Sequence, residues 1–208
     1  MQYDFRWYSF IRCQYINDDI ARMMKESGCD GVYLGIESAN DQILKYMKKA
    51  ATGKKYMQGV EYLKRYDITT FAAFIIGFPG EIEEDFQQTL SLIDEVGFDL
   101  SYSFIYSARP GTPAAELDDD VSLEEKKQRL ATLQAKINHN AQQISRKMVG
   151  SVEKVLFEGL SKKSLTMLSG RTENNRIVHV KADASLIGEF VDVEITEALP
   201  NCLRGSAV

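Results

Sequence analysis

The sequence predicts an α/β chain in which parallel strands alternate with helices, followed by one long helix and a small OB-like antiparallel β-barrel. Three observations carry this. Extended apolar runs alternate with helical patterns as far as about residue 107, the signature of repeated β/α units. One run, Phe71-Ala72-Ala73-Phe74-Ile75-Ile76, is apolar on both parities, as a parallel strand covered on both faces requires. From about Val149 the helical period vanishes, glycines recur at 150, 159, 170, 188 and 205, and Val191, Val193 and Ile195 alternate with Asp192, Glu194 and Thr196.

The expected strands of the first region are Phe5 to Ile11, Gly31 to Ile36, Thr70 to Ile76 and Leu100 to Tyr106, with the third one central. Between them, Asn17 caps a helix carrying Ile20, Met23 and Met24 that stops at Gly28, and Asn40 caps another carrying Ile43, Leu44 and Met47. A third helix starts near Lys54. The fourth spaces Ile82, Phe86, Leu90 and Ile93 at helical intervals, has Glu81, Glu83, Glu84 and Asp85 around its first turn, where the helix dipole favours negative charge, and ends at Gly97. A loop with Pro110, Gly111 and Pro113 and the acidic run Asp118-Asp119-Asp120 leads to the long helix. Ser122 and Glu125 read as its capping box, and Leu130, Leu133, Ile137, Ala141, Ile144 and Met148 as its apolar stripe. The domains expected are 1–120, 121–146 for the linking helix, and 147–208.

At 208 residues, 44% hydrophobic and 26% charged, the chain can build a sizeable core, and wholesale disorder is excluded. Its net charge of −5 argues against gripping a polyanion through overall charge. Residues 147–208 hold eight Lys plus Arg and eight Asp plus Glu, so any nucleic-acid contact must be a local patch. The longest apolar stretch, Phe71 to Phe78, falls short of the roughly 20 residues of a membrane-spanning helix, and the first residues lack a secretory layout. The expectation is a cytoplasmic chain with no membrane partner. Cys13, Cys29 and Cys202 are odd in number and widely spaced, which fits neither a disulfide framework nor a paired zinc site. They are expected to be free thiols, and no metal ligands are assigned.

Two strand ends could carry chemistry. Gly35-Ile36-Glu37-Ser38 runs from a strand into the helix start at Asn40, at the edge where ligands of parallel sheets collect. Ile75-Ile76-Gly77-Phe78-Pro79-Gly80-Glu81 has the same placement, and its glycines permit close backbone approach to a planar ligand. Read without a ligand, each is a tight strand-to-helix turn. Tyr102, Phe104 and Tyr106 read as core, while Ser101, Ser103 and Ser107 on the opposite parity are candidates to line the barrel interior.

In this order and separation, the two segments resemble the radical SAM superfamily, which binds S-adenosylmethionine inside a partial (β/α)6 barrel. The resemblance implies the last four strands of that barrel, and it implies Glu37, Ser38, Ile76 and Gly77 as S-adenosylmethionine contacts. From Ile76 onward the chain resembles the tRNA methylthiotransferases of that superfamily, the tRNA-2-methylthio-N6-dimethylallyladenosine synthases. That likeness rests on Gly77-Phe78-Pro79-Gly80-Glu81, Ser103 to Ala115, Lys126-Lys127-Gln128-Arg129-Leu130, Ser169 to Arg176, Leu186-Ile187-Gly188, Leu199-Pro200-Asn201 and Leu203-Arg204-Gly205. The family's last module is a TRAM domain that holds tRNA. On that footing Lys162, Lys163, Arg171, Asn174, Asn175 and Arg176 are the expected RNA contacts. Residues 1 to about 75 look closer to the cobalamin-associated radical SAM branch.

The resemblance also implies a [4Fe–4S] cluster, held by a Cys-x3-Cys-x2-Cys loop after the first barrel strand. This chain has no such loop. The expectation is therefore a catalytically incompetent fragment of a methylthiotransferase that binds S-adenosylmethionine and tRNA. Its open sheet edge would invite a complementing chain or self-association. The rival readings are a non-catalytic RNA-binding protein acting through the β module, and a cobalamin-linked radical SAM relative.

Overall fold

The computed structural model describes residues 5–162 and 164–208. They divide into two compact units, Met1–Asn140 and Ala141–Val208. The first is a sheet of four parallel strands in sequential order: β1 (Trp7–Ile11), β2 (Cys29–Glu37), β3 (Thr69–Ile76) and β4 (Ser101–Ile105). Helices α1 (Asp18–Glu26), α2 (Asp41–Tyr46), α3 (Gly53–Arg65) and α4 (Glu83–Val96) connect them, and the start of α5 (Leu123–Lys147) completes the unit. The sheet interior is β2 and β3, as the two-faced apolarity of 71–76 requires, and β1 and β4 are its edges.

Local chemistry sets the boundaries. Asn17, Asn40 and Thr52 each accept a hydrogen bond from the backbone N–H three residues on, capping α1, α2 and α3. Asp85 accepts from the Ile82 N–H at the start of α4, and Gly97 closes that helix at φ 68°. At α5 the Ser122 hydroxyl accepts from the Glu125 N–H, but the Glu125 carboxylate turns to Arg129. The expected strand from Phe5 begins at Trp7, whose N–H binds the Gly28 carbonyl. The helix after Asn40 ends by Met47, since Lys48 takes φ 55° and its N–H returns to the Lys45 carbonyl.

One sheet face is covered. Val32, Leu34 and Ile36 of β2 and Ala72, Phe74 and Ile76 of β3 pack in a single core with Tyr56, Val60 and Leu63 of α3, Phe86, Leu90 and Ile93 of α4, and Leu133 and Ile137 of α5. Complete burial of each large side chain there is worth about 1.5–3 kcal/mol. Ser101 and Ser103 lie on the parity of this covered face, beside Ala72 and Phe74, and bond each other at 2.9 Å. Tyr102 and Phe104 point the other way and are exposed. The expectation that the serines line the uncovered face is thus reversed: on this edge strand the aromatics occupy it.

The second unit is a closed barrel of β5 (Val152–Ser161), β6 (Ser164–Thr172), β7 (Ile177–Val180), β8 (Phe190–Ala198) and β9 (Leu203–Ala207), in the order β5-β6-β7-β9-β8. Val155, Phe157, Leu168, Val178, Val180, Val193, Ile195 and Leu203 fill it. Inward residues alternate with outward ones, the pattern that Val191 to Thr196 displays in the sequence. All pairs are antiparallel except β7 with β9, which is parallel. Among the described residues no helix is long and apolar enough to cross a membrane.

Candidate functional site

The uncovered sheet face holds a cavity of about 540 Å³ lined by Phe10, Tyr33, Gly35, Phe71, Ala73, Tyr102, Phe104 and Glu37, with Leu34. Register explains its shape. Tyr33 pairs with Phe71 across β2 and β3, and one step further along their common face Gly35 pairs with Ala73, flanked by Tyr102 on β4. Small residues therefore floor a pit whose walls are aromatic. Phe10, Tyr33 and Phe71 stack successively at centroid distances of 4.9 Å, with interplanar angles of 26° and 22°.

At the C-terminal end of β2 the register shifts between Gly35 and Glu37, and Glu37 adopts φ 64°, a left-handed conformation costly for a side-chain-bearing residue. Its carboxylate accepts from Lys49 Nζ at 2.8 Å, and the same ammonium donates to the Gly35 carbonyl at 2.9 Å. Ser38 is fully buried. Its hydroxyl accepts from the Asn40 N–H at 3.2 Å and lies 3.5 Å from the Thr89 hydroxyl, joining β2 to α4.

The β3 end is tied from several sides. Gly77 and Gly80 sit at φ 69° and 81°, and the Gly77 N–H donates to Glu81 Oε2 at 2.8 Å. Glu81 is 2% exposed; burial raises its pKa, while the Gly77 N–H and the Arg129 guanidinium partly offset that. Arg129 of α5, itself buried, donates to the Glu81 carbonyl at 2.9 Å and to its carboxylate at 3.2 Å, and to Glu125 at 2.5 Å. One more acid surrounds it, Glu83 at 3.4 Å from Nε, too far for a hydrogen bond, and both Arg129 Nε and Glu81 Oε1 are buried without one. Lys126, one turn earlier, lays its methylenes on Gly77 and its ammonium on Asp119 and the Tyr106 ring. Asp120 accepts from the Gly80 N–H, and Phe78 meets Tyr106 edge to face.

The four residues expected at S-adenosylmethionine thus take different places. Glu37 lines the cavity. The Ser38 and Ile76 side chains are buried, the Ile76 carbonyl accepts from the Tyr106 N–H, and Gly77 faces Lys126. Sequence reasoning passed over Lys126 and Arg129 as anything more than part of a resemblance. The signal was there: continuing the α5 stripe backward from Leu133 and Ile137 at helical spacing lands on both, and they are buried.

Of the expected RNA contacts, Lys162 is exposed at the β5–β6 turn, and Lys163 lies outside the described residues. The other four shape the β6–β7 turn. Arg171 donates to the Asn175 carbonyl and side chain and lies 3.4 Å from Glu158. Asn174 accepts from the Thr172 hydroxyl, and Asn175 takes φ 65°. Arg176 is half-buried and donates to Ser145 and the Ala141 carbonyl.

The cysteines do not fit a three-thiolate cluster site. Cys13 and Cys29 are buried, with their thiols donating to the Tyr56 and Gly31 carbonyls, and Cys202 lies in the second unit. Burial pushes the Cys13 thiol up to about 12, away from the thiolate a metal needs. Among the described residues there is no group of three or more His, Cys, Asp or Glu able to hold a metal.

Comparison with known proteins bears on both units. Residues 6–93 match the radical SAM superfamily and residues 146–208 the TRAM domain. The tRNA-2-methylthio-N(6)-dimethylallyladenosine synthase of Photorhabdus laumondii is 53% identical over 85% of this chain and 38% of its own length. That of Cronobacter sakazakii is 48% identical over 92% of this chain and 41% of its own. The second alignment spans 195 residues, too many to fit after residue 75, so the likeness to these synthases extends well into the first strands. The chain spans about two fifths of the length of these relatives. In fold, coproporphyrinogen III oxidase from Escherichia coli, a radical SAM enzyme, superposes with a TM-score of 0.58 at 16% identity, covering 81% of this chain and 46% of that one. Radical SAM strands joined to a TRAM barrel, at about half identity to these synthases, place the chain in the radical SAM family of tRNA-2-methylthio-N(6)-dimethylallyladenosine synthases.

Proposed function

We propose that the chain supplies the S-adenosylmethionine cradle and the tRNA grip of a cytoplasmic methylthiotransferase that acts on N6-dimethylallyladenosine in tRNA. The observation that carries this is the pairing of two strand ends, Glu37 beside an open cavity and the braced Gly77–Glu81 loop, with a TRAM barrel. S-adenosylmethionine, when bound, supplies the carbon group and the radical source of such chemistry. Glu37 suits its cationic or hydroxyl groups, because its carboxylate is held at the cavity wall by Lys49. Ile76 and Gly77 would contribute backbone, since the Ile76 side chain is buried and Gly77 has none. Ser38 would act by fixing the turn.

Family membership also implies a [4Fe–4S] cluster, and the three cysteines do not fit one, so no step is assigned to it here. From that misfit we propose that these 208 residues alone do not complete the reaction. The strand edges at β1 and β4 remain open to a complementing chain or a second copy. On the barrel, Lys162 and Arg171 are the side chains best exposed for phosphate, with Lys163 beside them in sequence. Asn174, Asn175 and Arg176 would hold the turn that presents them.

The test is anaerobic incubation of the chain with tRNA carrying N6-dimethylallyladenosine, S-adenosylmethionine and reductant, followed by nucleoside mass spectrometry, alongside gel shifts at two salt concentrations. The expected result is no methylthio product together with tRNA binding that weakens steeply with salt. Product formation overturns the proposed incompetence, and salt-independent or absent binding overturns the tRNA role.

A further inference from the structure

The cavity on the uncovered sheet face has a composition that Glu37 alone does not account for. Its floor is Gly35 and Ala73, and five of its walls are aromatic: Phe10, Tyr33, Phe71, Tyr102 and Phe104. Its polar rim is Glu37, held by Lys49. An all-polar ligand would leave its hydrogen-bonding groups unsatisfied against such walls, at a cost that burial of aromatic surface does not repay. A planar ring with an apolar branch meets the opposite situation, because rings stack on rings and a branched hydrocarbon fills the space above a glycine and an alanine. The floor is also kept shallow by sequence: a side chain at position 35 would run into the Glu37 carboxylate at 2.9 Å and Lys49 Nζ at 3.2 Å.

We infer that this pit is the pocket for the substrate base, and that Tyr33, Phe71, Tyr102 and Phe104 over the Gly35–Ala73 floor select adenine bearing the dimethylallyl branch against plain adenine. The inference rests on the reading that the chain acts on N6-dimethylallyladenosine, and it assigns that recognition to named residues. It also sets two ligands side by side: Glu37 is both the rim of the pit and the expected S-adenosylmethionine contact, so a base in the pit lies next to the cofactor. Loss of a single methylene contact in an apolar pocket already changes binding about tenfold or more. The whole branch should therefore be worth at least that.

The experiment is calorimetric titration of the full chain with N6-dimethylallyladenosine and, separately, with adenosine, repeated on Ala73→Leu and Tyr33→Leu. Ala73 lies on the uncovered face, so leucine there fills the pit without entering the core; unchanged melting temperatures and TRAM-dependent tRNA shifts verify folding. The expected result is a preference of at least about tenfold for the branched nucleoside, abolished by Ala73→Leu and reduced by Tyr33→Leu. Equal binding of the two nucleosides overturns the inference, as does a preference that survives Ala73→Leu. If Ala73→Leu instead displaces S-adenosylmethionine and spares the nucleoside, the pit belongs to the cofactor and the inference fails. If it abolishes concentration-dependent self-association, the occupant is a second copy, and the inference again fails. Persistence of tRNA and S-adenosylmethionine binding in either case shows that only the pocket assignment is wrong; loss of both in the unaltered chain shows that the underlying reading is.

Discussion

Replacement of Arg129 by methionine isolates the brace behind the Gly77–Glu81 loop. Methionine keeps much of the apolar stem that lies near the Phe86 ring but removes the guanidinium. Glu81 then remains 2% exposed with its charge opposed only by the Gly77 N–H. Removing one partner of a buried pair costs about 3–5 kcal/mol, because the survivor's desolvation is no longer compensated. The contacts to Glu83 and Glu125 add little, as both acids are about half exposed and screened by water. For a unit of this size, roughly 3 °C per kcal/mol predicts a fall in melting temperature on the order of 10 °C at neutral pH.

The pH dependence has a definite sign. Burial already lifts the folded-state pKa of Glu81 above its ordinary 4.5, and loss of Arg129 removes an interaction that lowers it, so the pKa rises further. A raised carboxylate pKa gives stability that is present below the unfolded value and is lost as pH climbs through the folded value. The penalty of Arg129→Met should therefore shrink as pH falls toward 4.5, and Glu81→Gln in the same chain should relieve much of it at pH 7. Circular-dichroism melts of the four proteins of this cycle at pH 5 and pH 7 make the measurement. A penalty below about 1 kcal/mol at pH 7, or one that Glu81→Gln does not relieve, refutes the reasoning.

Three other outcomes follow from the same geometry. Gly77→Ala should destabilise the first unit by at least about 1–2 kcal/mol, since φ 69° disfavours any side chain and its Cβ would fall within 3.0 Å of the Lys126 methylenes; a neutral thermal melt contradicts this. Alkylation at pH 8 followed by mass spectrometry should modify Cys202 well before Cys13, whose buried thiol is pushed up to about 12; equal labelling contradicts it. Lys162→Ala should weaken tRNA binding and flatten its salt dependence by about one unit of log–log slope without lowering the melting temperature, whereas Arg176→Ala should lower the stability of the barrel unit, because its guanidinium holds Ser145 and the Ala141 carbonyl.

The legible part of the sequence was the part governed by local rules. Asn17, Asn40 and Gly97 punctuate helices through their own side chain or backbone, and the run 71–76 declares a buried parallel strand by its lack of alternation. The strand ends at Glu37 and Gly77 were legible because a glycine-rich turn entering a helix leaves few structural alternatives. What stayed hidden depends on contacts remote in sequence. Lys126 and Arg129 read as the polar side of α5, since nothing near them reveals that Glu81 and Asp119 wait across the fold. The direction of Tyr102 and Phe104 was hidden likewise, because alternation along β4 gives two parities but not which of them the helices cover. Arg171, Asn174, Asn175 and Arg176 look like a recognition patch in the sequence, yet most of their polar atoms first serve the turn that they form.

Equilibrium dialysis of radiolabelled S-adenosylmethionine against the intact chain and its Glu37→Ala and Lys126→Met variants bears most directly on the cradle at the ends of β2 and β3. Saturable one-to-one binding is expected, weakened at least about tenfold by Glu37→Ala and to a lesser degree by Lys126→Met, which keeps the methylenes on Gly77 but frees Asp119. Retention of unaltered affinity by Glu37→Ala, or no uptake by the intact chain, would mean that these strand ends are turns and nothing more.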